Sequence, residues 1–587
     1  MEHPDSHKGR ECSQKRSPFD MIMNQIRRSK SFTDRRPRPS VGRFFRSTEN
    51  SDKKNGGIPE GGEPESLRGE EKTGSSGPTD SEPCSMVGWG RVKQFVQKLG
   101  KKLDSHSLNL GHCDLTATDV LELATLLPFL SQLEEMDLSW NDLIGGSLKA
   151  LAIHLRHVSR LKRLRLSSCR LTAEDLTALG EALDNLPLLE VLDLSWNASV
   201  GGNLQCLTSG LQPGNTVKVL HLVECQLTAA DAQALGGALC MLPSLELLDL
   251  SANRLLEGGL VELAPQLRGN PGLRVLRMRM CGLRQDSLQT LGNSLQFLPA
   301  LEQLDLSCNQ GASGGFAQVS AHLTQLMQLR SLDLHLCNLT EDDVRVLVQV
   351  VPSLCDLTML DLSSNKKIGG LSQMLFPSLP LSTLKTLCLN SCCLTEESYR
   401  SLASAVQSLS QLESLGLSWN KCVGGNLRLV LQALQPGSHL QELKLASCGL
   451  NTEDLLHLAS ASKRGALVHL RHLDLMYNDG VGEQGWTHLF KEAEGLRALA
   501  ELDISLHPSA RSSALPQASP WLPALLSALP WLPSLTCLSL QRWALTPRES
   551  DGLEAFNRDG KRSIHFDYDA HAAAGDRQAS SVELKNQ

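Results

Sequence analysis

The sequence predicts an α/β solenoid, in which short parallel strands build one concave sheet and returning, mostly helical segments build the outer face. Three observations lead there. Seven cysteines, Cys113, Cys169, Cys225, Cys281, Cys337, Cys392 and Cys448, follow one another at 56, 56, 56, 56, 55 and 56 residues, each closing a segment of form LxxLxLxxCxL. Halfway between them Asn141, Asn197, Asn253, Asn309, Asn365, Asn420 and Asn478 close segments such as LEVLDLSWN and LEQLDLSCN, so the unit is 28 residues in two alternating versions. Aromatic residues are only 4% of a chain that is 41% hydrophobic, which places the core on aliphatic side chains and disfavours aromatic-rich sandwiches and propellers. A coil this short buries its leucines only against neighbouring coils.

Taken in order, residues 1–88 carry Ser, Gly, Pro and charge without the repeat, and are expected to be a disordered arm. Lys8 to Arg46 holds 12 Lys or Arg against 3 acids, and residues 49–82 hold 9 acids against 4 basic residues. Ser31, three after Arg28, is a candidate phosphorylation site, where phosphate would add about −1.5 to −2 charge amid arginines. Residues 89–105 are expected to form a cap helix with Val92, Phe95, Val96 and Leu99 on one face.

Residues 106–545 are expected to form the solenoid. The leucines of LxxLxL point inward. The Asn or Cys lies under the turn, where a buried amide can bond the backbone groups left free, and Cys is small with a weak S–H donor. In the Cys version LTxxD recurs as Thr116 to Asp119, Thr172 to Asp175, Thr228 to Asp231 and Thr340 to Asp343, an N-cap residue with an acid three later; Arg284 breaks this cap. In the Asn version a glycine pair such as Gly145-Gly146 or Gly201-Gly202 precedes the helix, as expected for backbone angles closed to other residues. Cysteines of one series lie two coils apart, roughly 9–10 Å at the usual strand spacing, too far to pair. The pattern decays at LAELDISLH and LTCLSLQRW, where His507 and Trp543 take the turn position, and residues 546–587 are expected to be a tail.

Alternating long repeats ending in Cys and Asn resemble the ribonuclease-inhibitor type of leucine-rich repeat, over residues 106 to 545. The resemblance implies an α/β horseshoe with a concave parallel sheet used for protein binding.

No phosphate loop, HExxH or CxxC motif appears, so a non-catalytic protein without cofactor, metal or small-molecule substrate is expected. A formal charge of −7 argues against wholesale binding to nucleic acid or anionic membrane. Phe19, Phe32, Phe44 and Phe45 nevertheless interleave with arginines, which keeps nucleic-acid binding by the arm as an alternative. The polar start MEHPDSHKGR lacks an apolar signal region, and the most apolar late stretch, Pro520 to Leu535, carries four prolines in 16 residues, so a cytoplasmic monomer with no transmembrane segment is expected. Its partner should be a protein, with enzyme inhibition as the rival to scaffolding.

Four residues before each turn, side-chain alternation points a position outward. Across neighbouring strands it reads Asp137, Arg165, Asp193, His221, Asp249, Arg277, Asp305, and a second row alternates Glu134, Glu190, Glu246, Glu302 and Glu413 with Lys162, Lys218, Arg274, Arg330 and Lys385. Such checkerboards are expected to be lateral ion pairs. Asp305, Asp333 and Asp361 break the alternation on three consecutive strands, with His335 beside them. They are either a site for a cationic partner or a group neutralised by Arg277 and Arg330. Trp140, Trp196, Trp419 and Tyr477 each precede a turn asparagine. They form a second candidate partner-binding set, since interface hot spots favour Trp and Tyr, against the alternative that they pack over the next coil.

Overall fold

A computed structural model describes residues 106–509, 519–559 and 563–569. The basic arm, Ser31, the expected cap helix and part of the Pro-rich insertion lie outside these residues. Among the described residues seventeen three-residue strands, from β1 (Ser107–Asn109) to β17 (His565–Asp567), pair in parallel in one sheet. Each strand pairs with the next in sequence, as in Ser107↔Glu135 and Cys537↔His565, so every coil adds one strand to the sheet. The central residue of each strand up to β16 (Cys537–Ser539), such as Leu164, Leu248 or Leu443, is buried in a single core that is mostly leucine, and Phe566 of β17 is half-buried against it.

Each turn residue closes the coil before its own. Asn141 accepts the amides of Cys113 and Leu115 at 3.1 and 2.9 Å and donates to the carbonyls of Leu110 and Leu138 at 3.0 and 2.7 Å. Asn197, Asn253, Asn309, Asn420 and Asn478 repeat this set. In the other version the thiol donates backwards instead, as from Cys169 to Leu138 O at 3.2 Å.

The capping boxes at Thr116, Thr172, Thr228 and Thr340 form, and Arg284 supplies no side-chain cap. In the pairs at 145–146, 201–202 and 424–425 the second glycine takes a left-handed backbone, +80° at Gly146, and the first leaves no room for a side chain, since a Cβ on Gly145 would lie 2.0 Å from Arg170 O; at 314–315 it is the first glycine that is left-handed, and at 258–259 and 369–370 neither is.

The solenoid does not stop at residue 545, where the sequence suggested a tail. Helix Pro547–Asp559 and β17 add a further coil, with Phe566 beside Leu538 in register. Trp543 takes the asparagine's part by donating its indole N–H to Ile504 O at 2.8 Å.

Candidate interaction surface

The entrance row of the concave sheet is a chain of lateral ion pairs. Lys162 meets Glu134 at 2.7 Å, Lys218 meets Glu190 at 2.9 Å, and Lys385 meets Glu413 at 2.8 Å. Arg274 bridges Glu246 and Glu302 at 3.9 and 2.7 Å, and Arg330 also reaches Glu302 at 3.4 Å. The mid-strand row forms such pairs only around Asp249 among the described residues, with Arg277 at 3.5 Å and His221 at 3.8 Å. Burial raises the Asp249 pKa, but His221, Ser251 and Arg277 outweigh it and hold the carboxyl below its ordinary value.

The acidic break lies where the spacing placed it. Asp305 pairs in register with Asp333, and Asp333 with Asp361, on strands Gln303–Asp305, Ser331–Asp333 and Met359–Asp361. Its expected neutralisers are engaged elsewhere: Arg277 turns to Asp249 and to Gln303 at 3.2 Å, and Arg330 to Glu302. Arg279 is the cation whose charge reaches Asp333. Burial, then the charge of Asp305, pushes the Asp333 carboxyl up to about 7, against the His335 amide and Arg279. Burial, joined by Arg279, holds the His335 imidazole below its ordinary value, against the opposing charges of Asp361 and Asp305.

These carboxylates also serve the chain itself. Asp305 accepts the Ser307 amide, Asp333 the His335 amide and Asp361 the Ser363 amide, at 2.8 to 2.9 Å. Asp137, Asp193, Asp249, Asp474 and Asp503 do the same two residues on. One oxygen of each is therefore spent on the strand exit.

A second acidic stretch was not singled out in the sequence, because Asp503 belongs to a degenerate repeat. Asp474 pairs in register with Asp503 and lines a hollow of about 270 Å³ with Glu442, Lys444, His472 and Glu501. Burial raises the Asp474 carboxyl to about 6, aided by Asp503 and opposed by the Met476 amide and Lys444.

The rim aromatics occupy a backbone position that their residue types do not announce. Trp140, Trp196, Trp419 and Tyr477 have φ of 64°, 64°, 63° and 62°, and each amide donates to the next coil at 2.7 Å. The same left-handed position is filled by Ala252, Cys308 and Ser364 in sister coils. The tryptophans are 44, 48 and 42% exposed. They gather in two groups: His112 stacks on Trp140 at 5.4 Å, with Trp196 at 6.4 Å, while Tyr477 meets Trp419 at 6.2 Å and His507 at 5.4 Å. Rings thus touch across neighbouring coils, as the packing alternative required, and still leave nearly half of each indole open.

Among the described residues no group of three or more His, Cys, Asp or Glu could hold a metal ion, and no helix is long and apolar enough to cross a membrane.

Parallel one-strand coils closed by alternating Asn and Cys define a leucine-rich-repeat solenoid, an α/β horseshoe. Residues 466–485 match the family model described as Leucine Rich repeat. The chain is 32% identical to ribonuclease inhibitor of Sus scrofa over 310 residues, 52% of this chain and 67% of that protein. It is 30% identical to ribonuclease inhibitor of Mus musculus over 313 residues, 52% of this chain and 68% of that protein. NACHT, LRR and PYD domains-containing protein 14 of Mus musculus is 33% identical over 258 residues, 43% of this chain but 26% of that protein. The chain belongs to the ribonuclease-inhibitor-like family of leucine-rich repeat proteins.

Proposed function

We propose that this chain is a non-catalytic protein-binding scaffold or adaptor, a cytoplasmic monomer that engages its partner through the rim aromatics and the neighbouring acidic concave face. The exposed indoles are the observation that carries this reading. Ala252, Cys308 and Ser364 show that the coil closes without a ring at that position, so Trp140, Trp196 and Trp419 leave apolar surface open that the fold does not need. Large, stiff aromatic side chains of this kind dominate protein interfaces.

Proximity labelling in cells, with the full chain and with a variant changing Trp140, Trp196, Trp419 and Tyr477 to Ser, tests it. Serine is the substitution a sister coil already tolerates, so thermal unfolding should hold while a discrete set of neighbours disappears. An unchanged neighbour set with unchanged unfolding would reject the rim as the binding surface.

Family membership supports a second reading, inhibition of an enzyme by enclosure in the concavity. The names of the two relatives supply the first assay, inhibition of a ribonuclease. No inhibition at a tenfold excess of the chain would dismiss that form of the second reading and leave the first standing.

A further inference from the structure

The outer face carries a groove that a sister coil of the same design fills. Residues 201–214, GGNLQCLTSGLQPG, and 424–437, GGNLRLVLQALQPG, have the same length and end on the same left-handed glycine, with φ of 85° at Gly214 and 76° at Gly437. Their helices differ. Helix Leu427–Ala433 has seven residues and buries Leu431, Ala433 and, just beyond it, Leu434. Helix Leu204–Thr208 has five, and Thr208, Gly210 and Leu211 in the same places are only part-buried. A Cβ on Gly210 would lie 2.3 Å from Gly180 O, so this segment presses its backbone on the helix before it, Ala173–Leu183. On its other side a groove of about 540 Å³ parts it from the helix that follows, Ala229–Leu239.

The following helices repeat the contrast. Helix Thr452–Lys463 carries Glu453, His457 and Ser460 where Ala229–Leu239 carries Ala230, Ala234 and Gly237, all three of which line the groove. Arg464 closes the sister coil by donating to Leu431 O at 3.0 Å, and Met241 stands in its place here. A Cβ on Gly237 would meet nothing within 4 Å, so packing within the chain does not call for glycine at this interior helix position, where it is unfavourable.

We propose that this groove is a docking slot for a helix of a partner protein, which inserts a leucine-sized aliphatic side chain where Leu431 lies in the sister coil. The lining sets that chemistry. It holds no charged side chain, so an uncharged face is its complement. Thr208 and Leu211 also line an adjoining void of about 20 Å³, walled by Leu183, Leu207 and Leu235, into which an aliphatic side chain fits and a polar one would find no partner. Ala230, Ala234 and Gly237 are spaced four and three along one helix face, which leaves room for a second helix to approach closely. The slot lies on the helices and not on the rim, so it does not rest on the rim aromatics binding a partner.

Disulfide tethering on the full chain tests it, through the exposed Cys240, whose thiol donates to Gly237 O at 3.1 Å beside the groove. The probe is a set of thiol-bearing synthetic helices of alanine and glutamine with one leucine at successive positions, against the same helix with none. Under reversible exchange, one leucine position should raise labelling of Cys240 about tenfold, the worth of burying such a side chain, and leave the exposed Cys355, Cys393 and Cys422 unaffected. Thr208→Leu, which restores the sister residue, should abolish the preference and raise the unfolding midpoint. Gly237→Leu should abolish it with the fold intact, because its Cβ has open space. Equal labelling of Cys240 by every helix, or a preference that survives both substitutions, would overturn the proposal. So would a concentration-dependent dimer that Gly237→Leu disperses, since the occupant would then be a second copy of the chain.

Discussion

The thiol of Cys281 donates to the carbonyl oxygen of Leu250 at 3.1 Å, one coil back, with a longer contact to Arg279 O at 3.6 Å, and these weak bonds stand where the Asn253 side chain makes five. Asn253 accepts the Cys225 and Leu227 amides at 2.9 and 3.0 Å and donates to the carbonyls of Leu222 and Leu250, both at 2.7 Å. Asn253→Ala should therefore cost about 3 kcal/mol or more, with two amides left buried and unpaired, and Cys281→Ala about 1 kcal/mol. Urea titrations of the two variants compare them. Equal midpoints would mean that the two repeat versions close their turns with the same strength.

Burial raises the thiols of Cys169, Cys225 and Cys281 to about 12, so they stay protonated and inert at neutral pH. Native protein treated with a maleimide at pH 7.5 should be modified at the exposed Cys240, Cys355, Cys393 and Cys422, and at the seven series cysteines only after unfolding. Mass mapping reads this directly. A disulfide between any two series cysteines in non-reduced protein would contradict the coil register.

How far the sequence spoke follows from what each residue type can signal. Asn at the turn and Thr-x-x-Asp at the helix start have narrow chemical uses, and both took them at Asn141 and Thr116. The register of Asp305, Asp333 and Asp361 followed from spacing alone, because a fixed repeat fixes the pairing. The left-handed backbone before the turn could not be read, since Trp140, Ala252, Cys308 and Ser364 share no chemistry. Nor could Arg279 be picked as the cation near Asp333, because it lies outside both charge rows. The last coil escaped notice because Phe566 stands where the other strands hold an aliphatic core residue.

Stability should fall with pH on account of Asp333. Its folded pKa, about 7, lies above the ordinary 3.8, so the folded state binds the proton more tightly than the unfolded one. This contribution is full below the ordinary value, declines as pH rises between the two, and is gone above about 7. Partial exposure reduces it to about 2 kcal/mol. Asp333→Asn should flatten that part of the profile and raise the unfolding midpoint at pH 8 relative to the parent chain. Unfolding curves between pH 4.5 and 8 that coincide in shape for parent and variant would show that Asp333 does not titrate there.

Neutralising the whole break separates its two possible uses. Asn at 305, 333 and 361 keeps a side-chain oxygen to accept the amides of Ser307, His335 and Ser363, so the strand exits stay closed. What disappears is repulsion between three carboxylates on adjacent strands, and no ion pair is lost with it, because Arg277 and Arg330 are held by Asp249 and Glu302. The triple variant should therefore unfold at an equal or higher temperature. If the break receives a cationic group of the partner, the same variant should also lose neighbours in proximity labelling, and purified partner should bind it more weakly and with less dependence on salt. Stability and binding then move in opposite directions, which a purely structural role cannot produce. A lower unfolding temperature with the neighbour set intact would mean that Arg279 neutralises the trio within the fold, and it would remove these three aspartates from the binding surface while leaving the rim tryptophans as the remaining candidates.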